Sequence, residues 1–145
     1  MIKSSIAGCV LLCASGLVLA QMTPVGAWHT IDDETKEVKS EVRIVDNGGV
    51  LSGKVTKLLR KEAKLDAVCD KCTDDRKGKP LLGLEIIRGA KKADGKEVWE
   101  DGKILDPEKG SIYSLRLTPI DGGKKLEVRG SIFGIGRTQT WVRAR

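Results

Sequence analysis

At 145 residues the chain has the length of one domain. Its 26 Lys and Arg are interspersed with 20 Asp and Glu for a net charge of +6, and it offers only one Phe, one Tyr and three Trp. That mixture excludes a nucleic-acid binder, which would segregate its cations and interleave aromatics among them; one histidine and four cysteines, two of them in the leader described next, also fall short of a zinc site.

Residues 1–20 read as a secretory signal peptide. Lys3 is the only charge before residue 32, an apolar stretch runs from Ile6 to Leu19, and Val18-Leu19-Ala20 presents short side chains where a signal peptidase cuts. The stretch contains Gly8, Ser15 and Gly16 and is too short to span a bilayer, which takes about 20 apolar residues. Ile6-Ala7-Gly8-Cys9 has the residue types that precede a lipoprotein cysteine, but only five residues lie upstream of it. Cleavage is therefore expected between Ala20 and Gln21, leaving a single domain over residues 21–145 that works in the periplasm or is secreted.

Beyond the leader, short alternating runs are punctuated by turn signals, the pattern of an antiparallel sheet. Residues 26–31 form the first run, closed by Asp32-Asp33-Glu34. Residues 38–45 place Val38, Ser40, Val42 and Ile44 on one face, Asn47-Gly48-Gly49 supplies a hairpin turn, and residues 50–59 return with Leu51, Gly53 and Val55 on one face. Residues 60–80 show no alternation, and 61–68 could form two helical turns; loops this long are functional or disordered. From Leu81, Leu82, Leu84 and Ile86 alternate with Gly83, Glu85 and Ile87. Residues 96–99 and 103–106 read as separate strands joined by a turn at Asp101-Gly102. Residues 110–119 follow, then a turn at Asp121-Gly122-Gly123, then 124–132 with Leu126, Val128 and Ile132 on one face, and finally 137–143.

Eight or nine short antiparallel strands without a long helix fit an all-β up-and-down barrel or a sandwich. A barrel of eight strands has an interior that is either packed or holds one small ligand. The inward-facing candidates for such a ligand are Val42, Ile44, Leu51, Val55, Leu84, Ile86, Tyr113, Leu115, Leu117, Leu126 and Val128; a one-residue slip would exchange the two faces.

Cys69-Asp70-Lys71-Cys72 holds the only cysteines beyond the leader. In an oxidising compartment the pair is expected as a structural disulfide stiffening the long loop. A redox site would favour a helix N-terminus, and Asp66 and Asp70 would raise the thiol pKa. His29 has no nucleophile motif near it. Gly26-Ala27-Trp28 would let the indole close one end of a barrel, with Arg137 or Arg143, in the terminal strand that carries Trp141, lying across the ring.

The ordered series Gly26-Ala27-Trp28, Gly53-Lys54-Val55, Pro80-Leu81-Leu82-Gly83, Gly102-Lys103-Ile104-Leu105-Asp106-Pro107, Gly110 with Tyr113, Leu126-Glu127-Val128-Arg129-Gly130 and Gly136-Arg137-Thr138-Gln139-Thr140-Trp141 resembles the DUF2147 family of exported bacterial proteins. The resemblance implies a calycin-like or lipocalin-like barrel and no established reaction; the Cys69-x-x-Cys72 pair resembles one found in a subset of the family. Function is then expected to be non-enzymatic binding of a small apolar or amphiphilic ligand, without a cofactor. The alternatives are an interaction module with a filled barrel, whose contacts would include Lys61, Lys64, Lys71 and Arg76, or an enzyme using Asp106, Tyr113, Arg116 and Arg129.

Overall fold

The computed structural model describes residues 22–145 together with Gly8; the expected signal peptide and its Ala20–Gln21 cleavage site lie outside the described residues. Eight strands close into an antiparallel barrel in strict chain order: β1 (Gly26–Ile31), β2 (Val38–Asn47), β3 (Val50–Leu58), β4 (Glu85–Lys92), β5 (Trp99–Asp106), β6 (Ser111–Ile120), β7 (Lys125–Ile132) and β8 (Ile135–Arg143). Consecutive strands pair through short turns except between β3 and β4, which residues 59–84 join, and β8 returns to β1 to close the barrel.

Two expectations are corrected by bulges. Asp101-Gly102 is not a turn: Trp99 faces Leu117 while Gly102 faces Leu115, so one extra residue bends a single strand, β5. Asp101 takes a left-handed φ of 65° at this bend. A Cβ on Gly102 would fall 2.8 Å from the Ala90 backbone nitrogen, so the close approach of β4 requires glycine. In β4, Gly53 pairs with Ile87 and Lys54 with Glu85, leaving Ile86 as the extra residue. The expected face therefore shifts: Ile87, assigned outward by alternation, is wholly buried, while Leu82 is exposed before the strand begins.

The interior is one continuous apolar cluster running from Trp28, Val42 and Ile44 through Leu117 and Leu126 to Trp141. Ten of the eleven ligand candidates from the sequence lie buried within it, and Tyr113 is half-buried. Residues 59–84 form no helical turn, contrary to expectation. They fold into a lid in which Val68 bridges Pro80 and the Cys69–Cys72 disulfide is buried against the barrel core.

Candidate functional site

The connections sort to the two ends of the barrel. One end carries the chain start of β1, the Gly48-Gly49 turn, the segment between β4 and β5, and the one-turn 3-10 segment Asp121–Gly123. Trp28 seals it. Its indole Nε1 donates to the Pro24 carbonyl (2.7 Å), and the Arg143 guanidinium lies 4.2 Å from the ring centroid. Arg143 also donates to the carbonyls of Gly123 (2.7 Å), Val25 (2.9 Å) and Thr23 (2.9 Å). A Cβ on Gly26, at φ 128°, would meet Arg143 Nη1 at 2.6 Å, so glycine is needed there. Burial lowers the Arg143 pKa from its ordinary value, but that value is so high that the group stays charged. Of the two arginines expected to cover Trp28, the partner is Arg143; Arg137 lies at the other end.

The second end carries the lid, the β1–β2 turn, the β5–β6 turn and the β7–β8 turn. Ionic contacts stitch the lid to its neighbours. Arg60 donates to Asp32 (2.9 Å) and Glu108 (3.1 Å), and Arg88 bridges Asp75 (2.9 Å) and Glu85. Arg76, 4% exposed, is locked onto Asp74 and donates to the Glu85 carbonyl (2.9 Å). It is therefore a lid anchor and not the exposed contact residue expected from sequence. Backbone N–H groups of Thr35 and Glu34, together with Arg60, hold Asp32 well below the usual carboxylate range. Arg76 lowers Asp74 to about 2, and Arg88 lowers Asp75. Asp106 accepts the Glu108 N–H (3.0 Å), capping the β5–β6 turn as a residue before proline can. The lid backbone packs onto this turn so closely that a Cβ on Gly110 would fall 1.9 Å from the Lys71 carbonyl oxygen.

At this end the inner-face positions become half-buried. Along β7 the inward positions run from Leu126 (0% exposed) and Val128 to half-buried Gly130; along β8 they run from Trp141 to half-buried Gln139. On β6, Tyr113 follows buried Leu117 and Leu115 in the same way. The seam between β1 and β8 opens here too. Its backbone pairing lies at the Trp28 end, Trp28 with Arg143, His29 with Val142 and the Ala144 N–H on the Ala27 carbonyl (2.9 Å), while β7 and β8 stay in register down to Ile132 and Ile135. Toward the lid, side chains span the gap: Asp33 accepts from Gln139 (3.0 Å) and pairs with Arg137 (3.0 Å). Thr30 and Ser40 bring a hydroxyl pair (2.7 Å) to the same rim, and Trp141 Nε1 donates to Gln139 (3.4 Å). The resulting mouth is a polar rim, and the apolar floor beneath it, Leu115, Val128 and Trp141, is itself buried at 2–3% exposure. Sequence alternation found the floor; the rim depends on an unpaired seam that no local pattern announces.

The four enzyme candidates do not converge. Tyr113 is on the inner face, Arg116 and Arg129 are paired neighbours on the outer face, and Asp106 is occupied in a turn. His29 lies outside the barrel beside Glu41 (3.6 Å), whose carboxylate also accepts the Thr56 hydroxyl (2.9 Å). Among the described residues no group of three or more His, Cys, Asp or Glu is placed to hold a metal ion, and no helix is long and apolar enough to cross a membrane.

No curated protein matches the chain. Among solved structures it is similar to protein HP1028 of Helicobacter pylori, described as belonging to the lipocalin family, at 18% identity and a TM-score of 0.70, over 83% of this chain and 82% of that one. The likeness establishes a lipocalin-like barrel fold. A family model described as an uncharacterised protein conserved in bacteria matches residues 26–143, from the glycine under Arg143 to Arg143 itself, and so the chain belongs to the DUF2147 family.

Proposed function

We propose that this protein is a non-enzymatic binder of a small amphiphilic molecule, held at the lid end of the barrel and not in its depth. The observation that carries the reading is the change along the inner wall: the same faces that are sealed around Trp28 become half-exposed at Tyr113, Gly130 and Gln139, where the β1–β8 seam is unpaired. Once the Asp33–Gln139 contact opens, an apolar tail would rest on Leu115, Val128 and Trp141, otherwise 2–3% exposed, and a polar head would meet Gln139, Asp33 and Arg137. Ligand sites commonly combine such an apolar floor with a few convergent polar groups. Deeper occupancy is disfavoured by packing. A Cβ on Gly53 would already sit 3.1 Å from Ile87, and Trp28, Ile44 and Leu126 leave the lower core without exposed surface.

The site of action we propose is the periplasm or the extracellular medium. Support comes from the leader-like residues 1–20 and from a disulfide, a bond that persists in oxidising compartments.

Native mass spectrometry of protein purified from its own host, with titration of 1-anilinonaphthalene-8-sulfonate, tests the reading. The expected result is a copurifying small molecule or saturable probe binding, abolished in Gln139→Trp, which fills the mouth, with thermal stability retained. Absence of both signals in the parent protein would overturn the carrier reading and favour an interaction module.

A further inference from the structure

The β7–β8 turn breaks a rule that the β2–β3 turn obeys. Both are two-residue hairpin turns with left-handed central residues, a geometry that favours Asn and Gly. Between β2 and β3 those residues are Gly48 and Gly49, flanked by Asp46 and Asn47. Between β7 and β8 they are Phe133 (φ 52°) and Gly134 (φ 77°), flanked by Ile132 and Ile135. A bulky aromatic residue is disfavoured in that conformation. Burial does not compensate: Phe133 is 100% exposed, Ile135 83% and Ile132 44%. Three large apolar side chains within four consecutive exposed residues mark a contact surface rather than a solvated turn.

A second feature lies directly beneath the tip, on the outer face of β5, β6 and β7. An open cleft of about 570 Å³ is lined by Lys103, Arg116, Arg129, Ser114 and Ser131, reaches Gly134 of the turn, and has Glu100 and Asp101 on its wall. Lys103 donates to the Ser114 hydroxyl (3.1 Å), and Arg129 reaches the Thr138 hydroxyl (3.5 Å) and not a carboxylate. Arg116 meets Glu100 at 3.7 Å, with its side chain 58% exposed. The acidic β1–β2 turn is on the opposite side of the hairpin, held there by the Asp33–Arg137 pair. Ile132 and Ile135 continue the inward rows of β7 and β8 on the Arg137 side of the hairpin, while Lys103, Arg116 and Arg129 stand on its outer side, so the tip carries apolar groups with cations behind them and complements a surface that is apolar inside and anionic at its boundary.

We propose that the β7–β8 tip is an interfacial docking element for anionic phospholipid bilayers, with Ile132, Phe133 and Ile135 entering the acyl boundary and Lys103, Arg116 and Arg129 meeting headgroup phosphates. Neither part suffices alone: one short apolar tip gives marginal partitioning, and a few cations are readily screened, whereas the two together anchor a peripheral protein.

Vesicle flotation tests this, using protein as purified from its producing cells, so that residues preceding the barrel are the same in every sample. Vesicles of phosphatidylcholine alone are compared with vesicles that also contain phosphatidylglycerol. The expected result is binding to the anionic vesicles that weakens with salt. Phe133→Asn suits the left-handed turn and preserves the hairpin, and should weaken binding roughly tenfold or more. Lys103→Gln combined with Arg129→Gln should erase the preference for anionic vesicles while thermal stability is kept. Equal binding of parent and Phe133→Asn would overturn the proposal. So would competition by inorganic phosphate alone, which would make the cleft a phosphate site, or a Phe133-dependent dimer in sedimentation velocity, which would make the tip a contact between copies.

Discussion

The two ends of this barrel are built from different interactions. At the Trp28 end, one fully buried indole, one arginine donating to three carbonyls and a glycine that leaves room for it determine the same geometry several times over. At the lid end, closure rests on partly exposed ion pairs, one short disulfide loop and side chains spanning an unpaired seam. Exposed ion pairs contribute little each, typically 0–1 kcal/mol. The contrast assigns stability to one end and the capacity to open to the other, because local opening draws on the regions with the least buried contact.

If that division holds, damage at the Trp28 end should be global. Trp28→Ala removes a wholly buried indole and is expected to cost about 3–5 kcal/mol, measured as a lowered denaturation midpoint with all probes moving together. Cys69→Ser with Cys72→Ser should be smaller, about 2 kcal/mol in the chain-entropy account, and local. Proteolysis should begin within residues 60–80 while the strands remain protected. A barrel that melts as a whole in the double variant, or a lid that stays protected, would break the comparison.

Acid separates the ends further. Asp32, Asp74 and Asp75 all have pKa values lowered in the folded protein, so each adds stability above the ordinary carboxylate value, about 3.8, that is lost as pH falls through its own lowered value. Hydrogen exchange compared between neutral pH and about pH 2 should show the lid loosening while amides around Trp28 and Leu126 stay protected. The smallest effect is expected for Asp33→Asn, which removes the ion pair with Arg137 at a cost of about 0–1 kcal/mol and should speed probe association at the mouth without moving the denaturation midpoint beyond that.

Much of the fold was legible locally. Alternation located the strands, Asn47-Gly48-Gly49 and Asp121-Gly122-Gly123 located turns, and Gly26 with Trp28 located the sealed end. What was not legible was non-local. Asp101-Gly102 has the composition of a turn, and only the approach of Ala90 makes it a bulge. Ile87 is buried because β4 gains a residue against β3. Arg76 reads as a surface cation until Asp74 and the Glu85 carbonyl enclose it. Phe133 was not legible, since an apolar residue at the end of an alternating run resembles a core position; the signal lay in its place beside Gly134, between two isoleucines.

The central claim is that the lid end, and not the sealed end, receives a ligand. Amide chemical-shift mapping with dodecanoate tests it most directly. The account predicts saturable shifts clustered at Thr30, Tyr113, Gly130 and Gln139, with the Trp28 indole and the Gly48-Gly49 turn unmoved. Shifts centred on Trp28 and Arg143, or no saturable shifts anywhere in the barrel, would contradict it.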